Sequence, residues 1–307
     1  MGGPRADGDH KPGLQPPPGL TVPSPADVAG GALRWLEYVG LVGAIGAMVV
    51  RRLAANSPRI AWARPRLHLA LSAAFAGGLG VIAAEAIGAG GSLPGAIGYL
   101  VGGPPGWVRV ARVAAEGAAL AACLLGRRFV APLAMFAAAS IALAGHAAAA
   151  RPAGGAMFAD AIHVLSAGVW AGGIIALATL RPPGGWSGEE GRALLWRFGR
   201  VALVAFAITA MTGVLDATSD LREPSDLWTT SYGLVLSAKT AGVLVMVVLS
   251  SLAWRRGSGP VRFEGAVAVL VLAATAALAV YPLAPARLPG DGPTMQTEGA
   301  SDNAARH

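Results

Sequence analysis

The residues best suited to chemistry lie between 145 and 173, in the run GHAAAARPAGGAMFADAIHVLSAGVWAGG, which joins one apolar segment to the next. His146 and His163 are two of the five histidines in the chain, and Asp160 stands three residues before the second. On a helix, Asp160, His163, Ala167 and Trp170 share one stripe, because side chains three and four apart lie on the same face. Imidazoles so placed can ligate a metal or a haem iron, or can simply tie helices together by hydrogen bonds. The other histidines offer less: His10 and His307 lie in polar tails, and His68 opens an apolar segment beside several arginines.

These groups must be positioned by membrane helices. The 307 residues are 54% apolar and only 13% charged, about half the charged share of an ordinary soluble domain. Apolar stretches of bilayer-spanning length recur at 31–50, 67–87, 107–126, 129–149, 157–180, 197–216, 229–254 and 263–283. The expected fold is therefore all-α, a polytopic bundle of eight transmembrane helices. Residues 31–150 would form a first four-helix half and 151–286 a second. Residues 1–30, rich in proline and glycine, and the polar residues 287–307 are expected to be disordered tails.

Arginine placement sets the orientation. Arg51, Arg52, Arg59, Arg64 and Arg66 follow the first span, Arg127 and Arg128 the third, Arg181, Arg192 and Arg197 the fifth, and Arg255, Arg256 and Arg262 the seventh. Basic residues collect in short cytoplasmic loops, so both termini should be outside. The net charge of +7 thus reads as a topology signal rather than a nucleic-acid patch. A single cysteine, Cys123, excludes an internal disulfide. No phosphate-binding GxxxxGK[ST] loop is present to hydrolyse ATP, and no pattern of residues points to an enzyme.

The spacing also hints at duplication. Gly106 and Arg112 open the third span as Gly233 and Lys239 open the seventh, an offset of 127 that also sets Gly46 against Gly173. Four helices per half would give a 4+4 repeat of parallel orientation.

Further polar stripes mark other spans. Arg109, Arg112 and Glu116 lie at i, i+3 and i+7 on the third, where neighbouring opposite charges should neutralise one another. Thr209, Thr212 and Asp216 share a face of the sixth. Lys239 lies about 15 Å into the seventh and needs a carboxylate, for which Asp160, Glu116 or Glu37 could serve.

The runs AIHVLSAGVWAGGIIAL (161–177), RFGRVAL (197–203), MTGV (211–214), SYGLVLSAK (231–239) and RFEGAVAVLVLAATAAL (262–278), with GHA at 145–147, resemble the CopD copper-resistance family of bacterial inner-membrane proteins. The resemblance covers about 157–283, and the first three spans match only in hydropathy and length. It implies an eight-span permease that moves copper ions, into the cytoplasm, and contributes to copper resistance. Its partners would be the lipid bilayer and a separate periplasmic CopC-like copper-binding protein, since a tail of about 30 residues is too short to fold as such a domain. The positions carried over are His146, Asp160, His163 and Trp170, with Tyr232, Lys239 and Glu264 as structural or gating groups.

On this reading His146 and His163 bind copper together about 6 and 9 Å below the outer surface. Met157 and Met211 would be soft ligands, and Asp160 would accept the His163 ring N–H. The competing readings are a haem-binding redox protein and an accessory protein for copper oxidase assembly.

Overall fold

The structure, a computed structural model, describes residues 23–143, 153–221, 223–256 and 260–281. His146 and both expected tails lie outside the described residues. Every regular element among them is helical. In chain order they are α1 (Pro25–Ala55), α2 (Leu67–Gly90), α3 (Leu93–Val101), α4 (Pro104–Leu124), α5 (Val130–Ala139), α6 (Ala153–Ala178), α7 (Glu189–Asp220), α8 (Asp226–Thr229), α9 (Ser231–Arg256) and α10 (Val261–Leu278). Short 3-10 turns follow α1 and α5, at Pro58–Ile60 and Ser140–Leu143.

Local chemistry sets several ends. Ser24 and Asp27 form a reciprocal cap on α1, with Asp27 N donating to Ser24 Oγ at 3.2 Å and Ser24 N donating to Asp27 Oδ2 at 2.9 Å. Pro25 follows as the first helical residue, where its missing N–H costs nothing. Gly91, at φ +55°, ends α2 in the left-handed conformation, and Ser92 caps α3 directly afterwards.

Six of these helices, α1, α2, α6, α7, α9 and α10, are long and apolar enough to cross a membrane. The chain is a multi-pass helical membrane protein. Each of the eight expected spans falls on a helix, but two fall short of that standard. The third, α4, is interrupted by Arg109, Arg112 and Glu116, and the fourth is a shorter apolar stretch over Val130–Leu143. The short helices α3 and α8, which cap the turns before α4 and α9, were not expected from hydropathy.

At the centre, α1 packs on α2, α6 and α10, while α6 packs on α7 and α10. The α1–α6 crossing is made backbone to backbone. A methyl group at Gly46 would overlap the main chain of Gly172 and Gly173, and one at Gly172 would overlap the Val42 carbonyl. Around this crossing lie the fully buried Leu41, Ala44, Val50, Leu71 and Leu177. Advanced by 127 residues, α1, α2 and α4 fall largely on α6, α7 and α9, α5 overlaps the start of α10, and Arg112 lands on Lys239.

Candidate functional site

His163 sits at the α6–α7 interface. Its Nδ1 lies 3.1 Å from the carbonyl oxygen of Thr209 and 3.0 Å from Thr212 Oγ1. A carbonyl can only accept, so Nδ1 carries the hydrogen and donates it. The Thr212 hydroxyl has its own hydrogen directed to backbone carbonyls of α7, those of Ile208 at 2.8 Å and Thr209 at 3.1 Å. It too is therefore an acceptor for the ring. In the neutral imidazole this leaves a lone pair on Nε2, the form in which histidine binds a metal. Ser166, one turn further along α6, pairs with Thr209 Oγ1 at 2.8 Å and fixes the same face of α7. Gly213 supplies the room, since a methyl group there would stand 3.1 Å from His163 Cε1.

The sequence stripe on α7 thus finds its use, but the acceptor for the Nδ1 hydrogen differs from expectation. It is the Thr209 carbonyl and not Asp160, whose charge instead acts on Tyr38 of α1. Lys239, half-buried on α9, is near enough for its charge to act on His163. Met157 is half-buried near the start of α6. Met211 is 62% exposed and faces away from Thr212, because one residue along is about 100° round the helix. Trp170 is buried and packs its ring on Phe206, with centroids 4.8 Å apart, as a core residue. Tyr232 is buried at the start of α9. Glu264, buried near the start of α10, accepts a hydrogen bond from Ser250 of α9 at 3.1 Å. No group of three or more histidine, cysteine or carboxylate side chains that could hold a metal ion occurs among the described residues.

A second polar region lies in the first half. Arg112 Nε meets Glu37 Oε1 at 2.8 Å across the α4–α1 interface, and Glu116 lies against the same carboxylate. Glu37 and Glu116 are completely buried and Arg112 nearly so. Gly77 and Gly78 of α2 make the space, since a methyl at Gly77 would overlap the Glu37 backbone and one at Gly78 the Glu116 carboxylate. One turn away, Glu85 of α2 gathers Arg34 of α1, Arg109 of α4 at 2.9 Å and the Tyr99 hydroxyl of α3 at 2.9 Å. The expected neutralisation within α4, where the charge of Arg112 acts on Glu116, is thus joined by pairing between helices. Arg109 and Arg112 reach to Glu85 of α2 and Glu37 of α1. Nothing in the sequence stripe pointed to Glu85 or to the contact of Glu37 with Glu116, because both depend on which helices become neighbours.

A half-buried histidine held by threonine hydroxyl and carbonyl, inside a bundle of apolar helices, defines a polytopic membrane protein with a polar site between its helices. Residues 192–281 match the family model of CopD, copper resistance protein D, so the CopD resemblance holds over those residues. That region includes Thr209 and Thr212, the partners of His163. An alignment 169 positions long, covering 51% of the chain, is 30% identical to copper transport protein CutJ of Bacillus subtilis (strain 168). The chain spans 30% of that relative's length. No solved structure matches it.

Proposed function

We propose that the protein is a copper-handling permease of the bacterial inner membrane, moving copper ions towards the cytoplasm and so contributing to copper homeostasis. The observation that carries this reading is His163: its Nδ1–H is held by residues of the CopD-matching region, which leaves Nε2 free to take an ion. Copper is the cargo and not a resident cofactor. His163 and His146 would take it near the outer face, with Met157 at the mouth, since imidazole and thioether suit copper better than they suit hard cations. A site of two or three such ligands is weak enough to release its ion, which conduction requires.

The architecture in this proposal is eight spans in two parallel halves, 31–150 and 151–286, with both termini outside. Support comes from the offset of 127 residues that sets α1, α2 and α4 against α6, α7 and α9, and α5 against the start of α10, and from the arginines that flank alternate spans. A separate periplasmic copper-binding protein of the CopC kind would supply the ion. The name of the CutJ relative agrees with a copper transporter.

The test is reconstitution of purified protein into vesicles with copper on one side. Time-dependent copper accumulation that His163→Ala abolishes is the expected result. Copper binding without flux would replace the permease reading with that of an assembly factor, and a haem absorption band in the purified protein would replace both.

A further inference from the structure

We propose that Glu37 and Glu116 hold a single exchangeable proton between them, and that this proton is the coupling ion of the transport cycle. The role in transport rests on the permease reading; the presence of the proton does not.

The geometry is that of two carboxyl groups and one cation in a closed pocket. Both carboxyl groups are fully buried over the adjacent glycines Gly77 and Gly78 of α2, close enough for each charge to act on the other. Arg112 Nε meets Glu37 at 2.8 Å. Neither oxygen of Glu116 has a hydrogen-bond donor from any other described group. Two buried carboxylates so close cannot both be ionised without great cost, as in the shared-proton dyads of acid proteases. A proton placed between them makes one an O–H donor to the other and leaves one negative charge, which Arg112 balances.

Exchange, as opposed to permanent retention, follows from what faces the pair. Arg34 on α1 and Glu85 on α2 are the other titratable groups whose charges bear on Glu37, and Asp160 of α6 bears on the neighbouring Tyr38. The segment Val130–Leu143 packed behind α4 contributes no titratable residue. Glu85 is outnumbered by its partners Arg34 and Arg109, so this cluster carries one excess positive charge. It balances the pair when the proton has left. Both protonation states are therefore electrically tolerable. Arg34, Glu85 and Arg109 are also partly exposed, at 18–26% of their side chains. They offer a polar route one helical turn long from water to the pair.

Infrared spectroscopy of the purified full-length protein reads the proton directly, as a protonated-carboxyl C=O band. Glu116→Gln and Glu37→Gln should each remove a component of that band, because the single remaining carboxylate then ionises against Arg112, while Glu264→Gln should leave that component in place. A spectrum without the component, or one in which it survives both substitutions, overturns the shared proton. For coupling, vesicles loaded with the wild type should show copper uptake that changes several-fold with an imposed pH gradient, and Glu116→Gln should make uptake indifferent to it. Wild-type uptake that ignores the gradient overturns coupling. Absence of copper flux under every gradient overturns the permease reading, and the infrared band still decides whether the proton is there.

Discussion

His163 Nδ1 donates to the Thr209 carbonyl oxygen, 3.1 Å away across the α6–α7 interface. A backbone carbonyl cannot rotate away or lose its acceptor character, so this bond sets the tautomer of the ring as well as its plane. Thr212 Oγ1 adds a second acceptor at 3.0 Å that can be removed by substitution without disturbing the first.

Thr212→Val should therefore keep the fold and the tautomer but loosen the ring. Supporting groups of this kind are worth about 10- to 100-fold in metal affinity. Copper titration of the purified variant should show a loss near the lower end of that range, about 10-fold, against almost complete loss in His163→Ala. Equal affinity in wild type and Thr212→Val would mean that His163 does not carry the ion.

Glu85 anchors three helices other than its own. Glu85→Ala strands two guanidinium groups in a half-buried setting, and stranding a buried charge costs about 3 kcal/mol or more. Thermal unfolding in detergent should show a clear drop for Glu85→Ala and a smaller one for Glu85→Gln, which keeps an acceptor oxygen. A melting temperature unchanged in both would show that the cluster adds nothing to helix association.

Glycine substitutions should differ sharply by position. Gly30→Ala meets open space and should be neutral or mildly stabilising, since alanine is the better helix former by about 1 kcal/mol. Gly46→Ala drives a methyl group into the backbone of α6 and should destabilise by about 3 kcal/mol, the upper end for an overpacked core. Similar melting curves for the two variants would refute the close crossing.

The number of spans is decided by residue 127. If α4 and the Val130–Leu143 segment both cross, a reporter at Arg127 reports the same side as one near residue 60, and a C-terminal reporter the opposite side. If neither crosses, the reporter at Arg127 joins the C-terminal one.

Lys239→Met tests the deepest lysine. Of the three carboxylates named for it from the sequence, Glu37 and Glu116 are engaged with Arg112, which leaves Asp160 as the expected counter-charge. Lys239→Met should lower copper uptake, and Asp160→Asn combined with it should restore expression if the two charges neutralise each other. Full activity in the single variant would exclude a role for Lys239.

The helices were legible because the bilayer demands about 20 apolar residues of each span, and no soluble residue pattern imitates that. The stripes on α4 and α7 were legible for the same reason that helices have a period. What the stripes face was not. Arg112 was read beside Glu116, its neighbour in sequence, yet its ion pair is with Glu37, 75 positions earlier. That pairing depends on Gly77 and Gly78, residues without side chains to announce which surfaces approach. His163 likewise shows its type in the sequence, but its partners lie 46 and 49 residues away. Met211 was placed by depth alone, which says nothing of rotation about the helix axis, and it is exposed beside Thr212.

The contact of Gly46 with Gly172 and Gly173 has a mechanical consequence. Beside the main-chain contact at Gly46, the side chains of Ile45 and Val42 already pack on Gly168 and Gly172, so sliding along either axis would press them into the opposite backbone. The contact works as a fulcrum. Relative movement of α1 and α6 that keeps this contact is rotation about it, so widening the gap between the helices at one end narrows it at the other.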